Sequence, residues 1–280
     1  MKKALKIAAL VVAVALIIGV CWFANALVGN PISKALAQNT AEKYVKETYG
    51  NTDYELGDVT YSFKDGYYHA SVSSPSSIDT HFTLMINGFG KLSYDNYDYY
   101  VTNGWNTAGR IDTDYRKTVD TIFASRSFPY DAYISYGEIM FTTEDNKSAP
   151  DIPDYALITD NLTPDAYYNA NELGAKAGKL TVYIYDKNVS AERLSEMLLD
   201  IKECFDGADV GFYAIDCVLE SPRDENGFYE DGRVEVMDFP YSDIYEEGLV
   251  ERVKTSNDAA NAYYSEQDVE KFIEVADAQQ

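Results

Sequence analysis

Residues Ile7 to Val28 carry no charged side chain, and ten of those up to Phe23 are Ile, Leu, Val or Phe. A helix of roughly 20 such residues crosses a hydrocarbon core of about 30 Å. Each aliphatic residue favours insertion by about 0.3–0.6 kcal/mol, so the run as a whole favours it by several. Lys2, Lys3 and Lys6 lie on one side, and the next charge is Lys34. The positive-inside rule then places the N-terminus in the cytoplasm and everything after residue 28 outside the cell membrane. A cleaved signal peptide is the main alternative. Its apolar region is usually about 7–15 residues, shorter than this one. Two A-x-A sites exist, at Ala24–Ala26 and Ala35–Ala37. Cys21 as a lipid-bearing residue is a third reading, disfavoured by Val20 before it and Trp22 after it.

The remaining 250 or so residues suit one large or two modest domains. The apolar fraction of 46% is enough for packed cores. The formal net charge is −23, and with three lysines on the inner side the outer part is near −26. A surface this acidic repels phosphate backbones and anionic headgroups, so nucleic acid is excluded as a natural partner. Tyrosine is abundant, 25 residues against 2 Trp, which suits half-exposed antiparallel strands and binding surfaces alike.

Patterning divides the outer part in two. A helix is expected over residues 35–49, after the breaker Asn30 to Lys34. Three strands follow, with Val59, Tyr61 and Phe63, then Tyr68, Ala70 and Val72, then Phe82, Leu84 and Ile86 each on one face. Asp65-Gly66 is a hairpin signal. A helix laid on a curved antiparallel sheet is the cystatin-like kind of α+β unit. The segment 93–110 reads as an aromatic loop, 113–125 as a weak helix and 130–143 as a further strand or hairpin. Pro150 and Pro153 mark a linker. In the second unit a helix over 165–177 precedes a strand with Leu180, Val182 and Ile184. Ser190 is the N-cap of a helix striped by Leu194, Met197, Leu198, Ile201 and Phe205. Strands at 213–219 and from Val234 follow, then two acidic helices near 245–254 and 266–277. The expected fold is α+β: a transmembrane helix (1–28), then two small helix-on-antiparallel-sheet domains (29–145 and 161–280) joined by a linker (146–160).

Candidate chemistry is sparse. His69 and His81 share the face opposite the apolar one with Ser71, Ser73 and Thr83. Pairing even with even residues across the short Pro-containing loop puts His69 opposite residue 85 and His81 opposite residue 73. The two imidazoles are then roughly 13 Å apart, too far for one metal. Cys204 follows the helical stripe and Cys217 lies on the next strand. A disulfide between them is chemically allowed outside the membrane, and two buried free thiols are the other reading. The loop Asp224 to Gly232 fails EF-hand spacing, with Phe228 at position five. No nucleotide-binding, dinucleotide-binding or nucleophile-elbow motif is present, and no cofactor is implied. Tyr94, Tyr97, Tyr99, Tyr100 and Trp105 form the one aromatic cluster outside clear elements. Such platforms stack on sugars or anchor proteins, although loop aromatics also fold back on a core.

Several stretches resemble the YfjL-like proteins of Gram-positive bacteria: Asn30-Pro-Ile-Ser-Lys-Ala-Leu-Ala37, Ala41-Glu-Lys-Tyr-Val45, Val59-Thr-Tyr-Ser-Phe-Lys-Asp-Gly66, Ser74-Pro-Ser-Ser77, Gly104-Trp-Asn-Thr107 and Leu173-Gly-Ala-Lys-Ala-Gly-Lys-Leu-Thr-Val-Tyr183. The resemblance implies a membrane anchor and two small domains, and it brings no catalytic residues. The expected function is a non-catalytic binding module of the cell envelope, held in the lipid bilayer by residues 7–28 and directed at an envelope protein or a wall component. An envelope hydrolase with a nonstandard carboxylate site is the alternative.

Overall fold

A computed structural model describes residues 2–222 and 232–277. The loop from Asp224 to Asp231 lies outside them. Helix α1 (Lys2–Val28) is long and apolar enough to cross a membrane, and its apolar window buries nothing inside the protein. It ends where Gly29 takes φ +69°, a conformation that favours glycine. Asn30 then caps the next helix, α2 (Pro31–Thr48), its side chain accepting the Ser33 N–H at 2.8 Å. Pro31 occupies the first turn, where its missing N–H costs nothing. The expected breaker is therefore itself a helix start, and α2 begins four residues before the predicted position.

The chain divides into two compact units, residues 1–107 with 160–166, and 108–159 with 167–280. In the first, β1 (Glu55–Ser62), β2 (Tyr67–Ser73), β3 (His81–Ile86) and β4 (Leu92–Asp95) form an antiparallel sheet in chain order. The β2–β3 register matches the expectation, with His69 opposite Met85 and His81 opposite Ser73. Val59, Tyr68, Ala70, Val72, Phe82, Leu84 and Ile86 are buried against Ala37, Ala41 and Val45 of α2. Small residues at those helical positions let the helix lie close to the sheet. Leu36 of α2 is 43% exposed, and Phe63, expected on one face with Val59 and Tyr61, is 63% exposed.

The second unit holds most of α3 (Trp105–Phe123), then β5 (Ala132–Ile139), the short parallel pair β6 (Phe141–Thr142) and β7 (Leu157–Ile158), α4 (Ala170–Ala177), β8 (Gly178–Tyr185), α5 (Ala191–Gly207), β9 (Ala214–Glu220), β10 (Arg233–Pro240) and α6 (Leu249–Asp277). Its main sheet runs β10-β9-β8-β5. Strands β8 and β9 are parallel, which corrects the all-antiparallel expectation. Helix α5 supplies the crossover that a parallel pair requires. Leu180, Val182 and Ile184 of β8 and Ile215, Cys217 and Leu219 of β9 are buried, as is the α5 stripe of Leu194, Met197, Leu198, Ile201 and Phe205. Ser190 caps α5 as expected, accepting the Arg193 N–H at 3.2 Å.

Three boundaries differ from the sequence reading. Strand β5 pairs with β8, so residues 108–145 belong with the second unit and not with a domain over 29–145. Helix α4 starts at Ala170, because Asp165 has φ +61° and Asn169 is the N-cap. The two expected C-terminal helices are one, α6.

Candidate binding site

The outward face of the first sheet carries a cavity of about 260 Å³, formed by β2, β3 and the residues that follow β4. Period-two alternation sends Phe82, Leu84, Ala70 and Val72 inward, so Ser71, Ser73, His81 and Thr83 face out. Where β4 ends, Asn96 continues the pairing: its Oδ1 accepts the Thr83 N–H at 2.7 Å, and its own N–H donates to the Thr83 carbonyl at 3.4 Å. Asn106, in the first turn of α3, fixes the adjoining end. Its side-chain amide donates to the Asp79 carbonyl at 2.9 Å and the His81 carbonyl at 2.7 Å. Asp79 is 2% exposed and exchanges hydrogen bonds with the Asp165 backbone and side chain.

The cavity wall also includes Tyr100, and no Asp, Glu, Lys or Arg belongs to it. The hydroxyls of Ser71, Ser73, Thr83 and Tyr100 and the side-chain NH2 of Asn96 have no hydrogen-bond partner among the described residues, so they are available to solvent or a ligand. The site can offer hydroxyl and amide hydrogen bonds next to an aromatic face. Among the described residues no three His, Cys, Asp or Glu side chains are grouped to hold a metal. His69 bonds Asp65 at 2.8 Å instead.

The five aromatic residues singled out in the sequence separate into different roles. Tyr100 lines the cavity and meets the Tyr99 ring edge-on at 4.8 Å. Tyr99 stacks on Trp105 at 5.8 Å and 13°. The Trp105 indole Nε1 is buried with no hydrogen-bond partner among the described residues. Tyr94 sits on β4, opposite Met85, and is 52% exposed. Tyr97 turns inward, packing on Tyr49 and Phe82 at 5.1 Å each, with its hydroxyl 3.2 Å from that of Tyr54. The segment is no loop: a π-helical turn, Asp98–Thr102, and the start of α3 occupy it. Sequence reasoning did not nominate Asn96 and Asn106, whose type and position carry no periodic signal.

Both thiols are free. Cys204 is half-buried, its Sγ donating to the Ser127 carbonyl at 3.3 Å. Burial, then Asp200 and Glu203, push its pKa up. Cys217 is wholly buried on β9, and burial pushes it up to about 12. The second sheet carries a dense charge cluster around Lys179. Lys179 Nζ lies 2.9 Å from Asp216 and 2.7 Å from Asp238, and Tyr155 donates to Asp238 at 2.9 Å. The second oxygen of Asp216 accepts the Asp238 N–H at 2.7 Å. Burial pushes Asp216 up; it pushes Lys179 down, and the two carboxylates outweigh it there, so Lys179 lies above the usual lysine range. Asp238 has φ +47°, in the bulge between Val236 and Phe239. Each Asp216 oxygen is occupied, which is the pattern of a structural ion pair.

The YfjL-like N-terminal domain model matches residues 2–98, and the YfjL-like C-terminal domain model matches residues 114–254. The chain belongs to the YfjL-like family. No curated protein matches it, and no solved structure does. In this YfjL-like chain the β2, β3 and Asn96 walls of the cavity fall within the N-terminal match, while Tyr99, Tyr100, Trp105 and Asn106 lie in the interval between the two. The YfjL-like C-terminal match contains Cys204, Cys217 and the Lys179–Asp216–Asp238 cluster.

Proposed function

We propose that the protein is a single-pass, membrane-anchored binding module of the bacterial cell envelope, with its N-terminus in the cytoplasm and both units outside. The cavity on the first sheet, of about 260 Å³, takes one ring of an uncharged, hydroxyl-rich ligand such as a wall glycan. The observation that carries this reading is the composition of the cavity wall. In a chain with 46 acidic residues, the wall holds none, and it presents hydroxyl, amide and aromatic groups. Neutral sugars are recognised by that combination of directed hydrogen bonds and a ring face. Lys2, Lys3 and Lys6 in the first turns of α1 support the orientation. The helix packed on a four-stranded meander supports the cystatin-like description of the first unit, which belongs to this proposal. A hydrolase is disfavoured because the Lys179–Asp216–Asp238 cluster is internally satisfied.

The test is calorimetric titration of the full-length protein in nanodiscs with an N-acetylglucosamine tetramer. Binding that Tyr100→Ala weakens at least tenfold supports the proposal. No detectable binding, or equal binding by the Tyr100→Ala variant, refutes it.

A further inference from the structure

A second cavity, of about 760 Å³, opens in the second unit between the C-terminal ends of α3 and α5. Ligand sites span about 300–1,000 Å³, so this one is large enough for a small organic molecule. Ile122 and Pro129 give it apolar wall, Ser127 gives it hydroxyl wall, and Asp200, Glu203 and Cys204 line the α5 side. The proposed glycan site is in the other unit and shares no residue with it.

Three features give this cavity one sign. Asp200 and Glu203 contribute carboxylates, and neither forms a salt bridge among the described residues. Asp200 is held in place by the Tyr130 hydroxyl, which donates to it. Two helix C-termini converge on the space, since Ile122 and Ser125 come from the end of α3 and Gly207 and Ala208 from the end of α5. Each helix end carries a partial charge of about −0.5. Neither helix has a basic residue in its last turn, so neither partial charge is offset from its own helix. No Lys or Arg lines the cavity. Arg126 follows α3 closely in sequence, but it is exposed and outside the wall.

We propose that this cavity binds an organic cation, an ammonium group on an aliphatic stem, with the charge set between Asp200 and Glu203 and the stem against Ile122 and Pro129. An anion is repelled by the same carboxylates and helix ends. A neutral molecule gains the apolar wall without the electrostatic attraction.

The probe is spermidine, titrated calorimetrically into the full-length protein in nanodiscs, with 1,8-octanediol as the uncharged counterpart. Wild type binds spermidine and not the diol. The D200N/E203Q variant loses at least tenfold in affinity. D151N/D154N removes the same charge from exposed residues outside the cavity and stays within twofold of wild type. Ala208→Trp fills the mouth at an exposed wall position while leaving both carboxylates and the Tyr130 contact in place. It also loses at least tenfold, and it decides the matter if the charge variant fails to fold. Equal weakening in the two double variants, wild-type affinity in Ala208→Trp, or no spermidine binding by wild type overturns the proposal.

Discussion

Thr83 and Asn96 exchange a pair of hydrogen bonds beyond the last residue of β4, the Thr83 N–H donating to Asn96 Oδ1 at 2.7 Å and the Asn96 N–H donating to the Thr83 carbonyl at 3.4 Å. One bond uses the Asn96 side chain and the other its backbone. Asn96→Ala removes only the first. The expected loss is about 1 kcal/mol, the usual net value of one such bond. Asn96→Asp keeps the acceptor and holds stability closer to wild type. Urea unfolding of both variants checks this, and an alanine variant as stable as wild type would show that the side-chain bond is dispensable.

Tyr97 and Tyr100 are three residues apart and face different surroundings. Tyr97→Ala removes a ring packed on Tyr49 and Phe82 and is expected to cost about 2–3 kcal/mol, below the range for fully buried aromatics because Tyr97 is half-buried. Tyr100→Ala, at a 40% exposed position, is expected to shift stability by less than about 0.5 kcal/mol. Denaturant midpoints of the two variants measure the contrast; equal losses would place both rings in one environment.

The thiols differ in access. Iodoacetamide is expected to modify half-buried Cys204 in the folded protein and to reach Cys217, held up to about 12 by burial, only after unfolding. Asp200 and Glu203 add to the upward push on Cys204, so D200N/E203Q alkylates faster at pH 8. Peptide mapping by mass spectrometry follows both sites. Protection of both until a reductant is added would mean that the two cysteines are joined.

Asp186 accepts the Asn188 N–H at 2.9 Å and pairs with Arg193 at 2.9 Å. The backbone bond and then the guanidinium hold its carboxyl below the ordinary value of 3.8. A depressed carboxyl stabilises the fold above the ordinary value, and that contribution disappears as pH falls through the lower, folded-state value. Asp186→Asn is therefore expected to be destabilising at pH 7, with a penalty that shrinks as pH falls below the ordinary value of 3.8. Thermal unfolding of the pair across that range checks it; a penalty independent of pH would assign the effect to geometry and not to charge.

The β2–β3 register and the α5 core were legible because they rest on alternation, a short loop and helical spacing. His69 opposite Met85 follows from parity and the short Pro-containing loop before β3, and Leu194 to Phe205 from the 3.6-residue repeat. Two features escaped. The parallel pairing of β8 and β9 is decided by the path of α5, which no local pattern records. The placement of β5 beside β8 is a long-range choice among strands of similar composition. The site was half visible: the aromatic run was marked, but Tyr97 and Tyr100 could not be told apart, since π-helical geometry sets which ring turns inward. Asn106 acts through hydrogen bonds to residues more than twenty positions earlier in the chain.

Gly29 is the position where those local rules meet α1. At φ +69°, a Cβ added there would lie 2.6 Å from the Tyr68 hydroxyl oxygen and 2.8 Å from the Tyr61 ring. Gly29→Ala is expected to cost about 1–3 kcal/mol through strain and that clash. Unfolding midpoints test it, and a variant as stable as wild type would show that the junction yields.

The same junction governs reach. Only Gly29 and Asn30 separate α1 from α2, and both sides of the joint are fastened: Tyr61 donates to the Ala26 carbonyl at 3.0 Å, and the Tyr68 hydroxyl receives the Asn30 N–H at 2.9 Å. There is no slack leash here. With α1 in a bilayer, the first unit is mounted like a bracket and held close to the lipid surface. Under the proposed anchoring, an occupant of that cavity meets the protein at the membrane, because two residues alone span the joint between α1 and α2.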